Sequence, residues 1–366
     1  DLPLTWAEGI AAVTALWRAD VERRQFIGKA GFAVAAYAAA GVRWLTLPPA
    51  CTPTGMGKRR IGTSDVAAIR EISRTYRQLD NRLGSGELRG TVVHLLDGQV
   101  TPLLRQASFS ESTGRGLASA AAELSQLVGW MAFDDESHGL AQRYLIQALG
   151  LARLSGDHAL AGEILAAMSQ QAVYVGQPDQ AIDLARAART AAERAGLPVL
   201  VAECHVAEAH GHAARHDARL CARALTAAER SYGQARTSEQ QPTWLAYFDE
   251  AYLAARTGHC FRDLGQGRQA AGYARRSLDM NGSYVRGHAF NLALLGTALA
   301  QQGDAEQAST VGLQAADAAA GLQSRRSVRY VLDLRRRLAD KASATAVRPF
   351  MERTEALARA HMPGDS

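Results

Sequence analysis

From about residue 116 to 320, apolar residues recur at spacings of three and four. β-Branched residues are sparse there and Pro is nearly absent inside segments, a pattern that predicts helix after helix. A longer period lies on top of it, in which a polar or Gly-rich turn is followed by a small residue. Asp134-Asp135-Glu136 precedes Ala141, Gly176-Gln177-Pro178-Asp179 precedes Ala181, His216-Asp217 precedes Cys221, Gly265-Gln266-Gly267 precedes Ala270, and Gly303-Asp304 precedes Ala308. The steps are 40, 40, 49 and 38 residues. Such a period marks a solenoid of helical hairpins, each of which buries its apolar face only against its neighbours. Gly129, Ser169, Ala209, Gly258 and Gly296 stand about seven positions before the turns, where a larger side chain would hold the two helices of a hairpin apart.

The flanks extend the pattern. Residues 65–79 and 87–106 read as two further helices, separated by the helix-terminating run 81–86, and residues 327–339 and 344–358 read as a last hairpin. The chain therefore divides into an N-terminal helical segment or linker (1–47), a Pro/Gly-rich linker (48–64), the first solenoid helices (65–115), five repeats (116–320) and C-terminal capping helices with a tail (321–366). The basic run Arg325, Arg326, Arg329, Arg335, Arg336 and Arg337 is expected to decorate a solvated end face, with a phosphate- or partner-binding patch as the other reading.

Residues 6–21 are amphipathic. The run Arg23-Arg24-Gln25-Phe26-Ile27-Gly28-Lys29 and the apolar stretch 30–42 look like a twin-arginine export signal. Asp20 and Glu22 before the Arg pair, with Trp6 and Trp17 in what would be a polar leader, favour a packed N-terminal helix instead. Gly55-Met56-Gly57-Lys58 lacks the Ser or Thr and the preceding strand of a phosphate loop.

Composition narrows the function classes. The chain has 366 residues, 47% hydrophobic and 21% charged, with 41 basic against 36 acidic residues and a net charge of +5, too small a surplus to argue for nucleic acid by itself. No apolar run reaches the roughly 18 residues of a membrane span. Cys51, Cys204, Cys221 and Cys260 are scattered without metal or redox spacing, and a cytoplasmic location is expected. No GxSxG or HExxH motif is present, and no enzyme activity, cofactor or metal is expected. His205, Glu208 and His212 share a helix face that could present metal ligands, but their register favours packed or groove histidines.

In the fourth unit Leu253, Gly258, Phe261, Gly265 and Ala270, and in the fifth Leu292, Leu295, Gly296, Leu299, Gly303 and Ala308, resemble the tetratricopeptide (TPR) consensus. The first three units are degenerate. The resemblance implies an all-α fold, a right-handed superhelical TPR-like helical-hairpin solenoid whose first helices line a concave groove. Carried over by register, the groove positions are Glu123 and Trp130 in the first unit; Glu163, Gln170 and Tyr174 in the second; Glu203 and His210 in the third. The fourth supplies Tyr252, Arg256, His259, Arg262 and Asp263, and the fifth Phe290, Thr297 and Gln301. This mixture of polar and aromatic groups suits a peptide better than a greasy metabolite.

A narrower resemblance runs through Trp6-Ala7-Glu8-Gly9, Leu16-Trp17-Arg18-Ala19-Asp20, Arg23-Arg24-Gln25-Phe26-Ile27, Arg77-Gln78-Leu79-Asp80-Asn81, Gly86-Glu87-Leu88 and Val100-Thr101-Pro102-Leu103-Leu104-Arg105. These stretches are similar to those ahead of the repeats in XRE-type, TPR-containing transcriptional regulators of GC-rich Gram-positive bacteria. The resemblance implies a sensory and dimerising region that binds a short peptide or small effector, forms a homodimer and reaches DNA only through an N-terminal helix-turn-helix, which residues 1–366 do not contain. The alternative is a constitutive TPR protein–protein scaffold without effector.

Overall fold

A computed structural model describes residues 2–3, 5–22, 31–47, 54–235 and 241–361. The five repeats are five helical hairpins: α6 (Glu111–Asp134) with α7 (His138–Ser155), α8 (His158–Tyr174) with α9 (Pro178–Ala195), α10 (Pro198–Ala214) with α11 (Ala218–Ala235), α12 (Glu250–Asp263) with α13 (Gly267–Ser277), and α14 (Val285–Gln301) with α15 (Ala305–Ala320). Ahead of them stand α1 (Trp6–Glu22), α2 (Val34–Thr46), α3 (Thr63–Leu83), α4 (Leu88–Leu95) and α5 (Thr101–Gln106). Behind them α16 (Arg325–Arg337) and α17 (Arg348–His361) form the expected last hairpin. The chain is a TPR-like all-α solenoid.

The local signals act as the sequence suggests. Ser110, Asp157, Asp249, Asp304 and Ser324 cap α6, α8, α12, α15 and α16 by accepting a backbone N–H three residues on. Within each repeat the turn between the helices closes in one way. Glu136, Gly176, His216, Gly265 and Gly303 take positive φ, and the following N–H donates to the carbonyl five residues back, as in Ser137 to Ala132 and Asp217 to His212. The small residues sit at the hairpin crossings: a Cβ on Gly258 would come 3.4 Å from the Ala270 carbonyl, one on Gly296 3.4 Å from that of Ala308, and Ser169 Oγ donates to the Ala181 carbonyl at 2.7 Å. Period and small-residue pairs are thus one feature, since hairpins repeat where their helices touch closely.

Residues 54–62, whose Gly content marks a linker, turn back as β1 (Gly55–Met56) and β2 (Arg59–Arg60) on either side of β3 (Ala107–Phe109), antiparallel and parallel to it respectively. The helix expected over 87–106 is broken by a π turn at Leu96–Val100 before Pro102. The N-terminal helices are docked. Trp17 of α1 is buried and α1 packs against α7, while Tyr37 of α2 is buried and its hydroxyl donates to Gln171. Asp20, which argued against a leader peptide, is buried and accepts from Tyr144 at 2.8 Å and Arg89 at 2.5 Å. Arg23 and Arg24 lie outside the described residues. No helix among the described residues is long and apolar enough to cross a membrane.

The solenoid closes on itself. Asp80 at the end of α3 and Asp134 at the end of α6 are buried with Arg286 of α14 and Arg326 of α16. Arg286 reaches Asp80 at 2.7 Å and Asp134 at 3.3 Å, and Arg326 reaches Asp134 at 3.4 Å. Ser85 donates to both carboxylates, and backbone bonds join Gln323 N–H to Leu83 O (2.8 Å) and Gly86 N–H to Gln323 O (3.2 Å). Of the basic run, Arg325, Arg329, Arg336 and Arg337 lie on an exposed face, as expected, whereas Arg326 is buried in the closure. Arg325 pairs with Asp135, Arg329 with Glu136, Arg335 with Met351 O and Thr354, and Arg336 and Arg337 with Asp333. An array in which hairpins touch only their neighbours would leave Arg326 solvated as well; curvature brings the first turn and the last hairpin together.

Candidate ligand-binding groove

Within the closure lie two adjoining, partly open cavities, an inner one of about 180 Å³ and an outer one of about 860 Å³. Gln170, Arg256, Arg326 and Tyr330 line both and form the passage between them. Trp130, Glu163, Glu203, Tyr252, His259 and Phe290 line the inner chamber; Tyr174, His210, Arg262, Asp263 and Gln301 line the outer. The first helix of every hairpin contributes, as the repeat register requires. Two expected groove residues do not: Glu123 is buried against α3, where Arg70 pairs with it at 3.1 Å, and Thr297 is buried away from both chambers. For Glu123 the cause is α3, a helix outside the repeats that covers this part of α6.

The inner chamber holds an acid pair. Tyr247 donates its hydroxyl to Glu203 at 2.5 Å and lies 3.0 Å from Glu163 Oε2, while Gln126 Nε2 lies 3.5 Å from Glu163. Burial pushes both carboxyls up, and the proximity of Glu163 raises Glu203 further. Burial thus disfavours ionising both carboxyls at once. Tyr247 is held neutral by the same burial and the same carboxylates.

The passage is cationic and aromatic. The Arg326 guanidinium sits 4.3 Å from the Phe133 ring centre and 4.9 Å from those of Trp130 and Phe290. His210 and His259 meet edge to face with centres 5.9 Å apart; burial first, and neighbouring arginines second, keep both imidazoles neutral. On the outer wall Tyr174 donates to Glu136 at 2.5 Å, and Arg329 grips the same carboxylate with two bonds of 3.1 Å. His138, beside them, is also held neutral by burial.

The histidine face of α10 is used differently. Glu208 is taken by Arg186 at 2.8 Å and Arg189 at 3.1 Å, and His212 Nε2 lies 3.7 Å from it. Among the described residues no three His, Cys, Asp or Glu are grouped as a metal would need.

Arg77, Tyr247, Arg326 and Tyr330 also line the groove and belong to no repeat position. The extra length of the 49-residue step, with Trp244, Tyr247 and Phe248 in it, is the trace that Tyr247 leaves in the sequence. Arg326 is hidden in a run that reads as surface charge.

No family model matches the sequence, and no curated protein matches it. Among solved structures, this chain is similar to a Rap protein in complex with competence and sporulation factor. The identity is 13%, the TM-score 0.49, and the match covers 82% of this chain and 99% of that one.

Proposed function

We propose that the chain is the effector-sensing region of a cytoplasmic, homodimeric transcriptional regulator, taking a short peptide or small effector in the two-chambered groove and relaying it to an N-terminal helix-turn-helix. The observation that carries this reading is the closed ring around the groove. An occupant of the passage touches α8, α12 and α16 at once, so it can favour one curvature of the array over another, provided that it fits the two differently. The docking of α1 on α7 and of α2 on α9 ties the N-terminal segment to the first two hairpins, so a change of curvature there would move what precedes it. The similarity of residues 6–27, 77–88 and 100–105 to XRE-type regulators supports the DNA-binding partner domain.

The experiment is genomic DNA affinity sequencing with the full-length product of the gene, with and without the peptide fraction of its host's culture medium. Discrete bound sites whose occupancy changes with the peptide fraction are expected. Absence of bound sites, together with absence of a helix-turn-helix in frame before Asp1, would instead make the chain a constitutive scaffold.

A further inference from the structure

Of the cations lining the two chambers, Arg256 stands apart. Arg262 pairs with Asp263 at 2.6 Å, Arg286 with Asp80, Arg326 with Asp134, Arg329 with Glu136, and Arg336 and Arg337 with Asp333. Arg77 donates to Gln126 Oε1 at 3.1 Å. Arg256 is only 8% exposed, lies in the passage, and has no hydrogen-bond or ion-pair partner among the described residues. Glu203, the nearby acid, is hydrogen-bonded to Tyr247 at 2.5 Å and acts on Arg256 only through space, without an ion pair between them. Among the chamber-lining polar atoms left unpartnered are Nε2 of His210 and Nδ1 of His259, and also Oε2 of Glu203. A buried guanidinium that makes no hydrogen bond is costly.

We propose that the passage is a carboxylate subsite, in which Arg256, with His210 and His259 beside it, binds a carboxylate of a peptide lying across the two chambers. A guanidinium whose donors are all free attracts a negative charge and offers the planar fork that a carboxylate takes. Neutral imidazoles add hydrogen bonds without a second charge, which fits a carboxylate better than a phosphate dianion. The carboxylate is a chain terminus or an Asp or Glu side chain. Trp130, Phe290 and Tyr330 around the passage supply apolar contact for the rest of that residue. This inference rests on the peptide-sensing reading and specifies it.

The test uses the full chain and two pentapeptide libraries of equal composition, one with free C termini and one amidated, with retained peptides identified by affinity-selection mass spectrometry. The free-acid library is expected to be retained at least about tenfold better, the scale of losing one charge-assisted hydrogen bond. Arg256→Met should abolish retention and melt no lower than the parent, and Arg256→Lys should restore part of it. Retention of amidated peptides only where they carry Asp or Glu, lost in Arg256→Met, supports the subsite and assigns the side-chain source. Equal retention of both libraries irrespective of acidic residues, or full retention by Arg256→Met, overturns the subsite and leaves the groove reading standing. An Arg256→Met variant that melts well below the parent shows Arg256 to be paired within the chain and overturns it too. No retention of either library by the parent overturns the subsite and the peptide reading together.

Discussion

Asp134 and Asp135 are neighbours in sequence, and the closure of the solenoid gives them opposite energetic weight. Asp134 is fully buried and is approached by Ser85 Oγ at 3.2 Å, Arg286 at 3.3 Å and Arg326 at 3.4 Å. Asp135 reaches Arg325 across a surface where the two side chains are 42% and 54% exposed. Removing one carboxylate from a buried charge network costs about 3–5 kcal/mol, because a cation stays behind without its partner. Arg286 keeps Asp80 at 2.7 Å, but Arg326 keeps only its aromatic neighbours, worth about 2 kcal/mol when desolvated. Asp134→Asn should therefore lose about 3 kcal/mol. Asp135→Asn should lose less than about 1 kcal/mol, as exposed pairs do. Urea unfolding followed in parallel by circular dichroism and tryptophan fluorescence measures both. Hydrogen exchange should also quicken in α16 and in residues 80–87 for Asp134→Asn alone, since those segments meet only through the closure. Equal losses in the two variants, or exchange unchanged in α16, would refute the closed ring.

Three further outcomes follow from single positions. His216 is exposed and holds a left-handed turn at φ 57°, where three of the other four repeats carry Gly, so His216→Gly should stabilise the chain by about 1 kcal/mol, read from the urea midpoint. Gly258→Val would force a branched side chain against Leu294, 3.1 Å from the added Cβ, and the Ala270 carbonyl, and should cost about 1–3 kcal/mol in the same assay. Burial and the adjacent Glu163 raise the Glu203 carboxyl. The folded chain thus binds more protons than the unfolded one above the ordinary Glu value of about 4.3, and stability falls as pH rises from there toward the raised value. Glu203→Gln keeps an acceptor for Tyr247 and should flatten that decline; a pH–stability profile superimposable on the parent's would show Glu203 to be ionised in the fold.

The repeats were legible because one physical requirement, close crossing of paired helices, leaves its mark as a small residue at a fixed distance before each turn. Gly258 and Gly296 face the Ala270 and Ala308 carbonyls as that spacing demands. Degenerate turns were readable too, as Glu136 and His216 take the left-handed conformation that Gly supplies at Gly176, Gly265 and Gly303. What the period does not encode is contact between distant repeats. Nothing near Asp134 in sequence points to Arg286 or Arg326, and Arg326 reads like its solvated neighbours until curvature places Asp134 against it. The same limit governs the groove. Register placed Arg256, His259 and Phe290 on its walls, but Tyr247 comes from an insertion between hairpins, and Glu123 was removed by α3, which belongs to no repeat.

The most direct measurement is native mass spectrometry of the full-length product purified from its own host, parent beside Arg256→Met and Tyr252→Ala. The account predicts a parent series heavier than the bare chain by the mass of a short peptide or small effector, and bare-chain masses for both variants. Bare-chain masses for the parent under every growth condition, or an adduct carried equally by all three proteins, would contradict it.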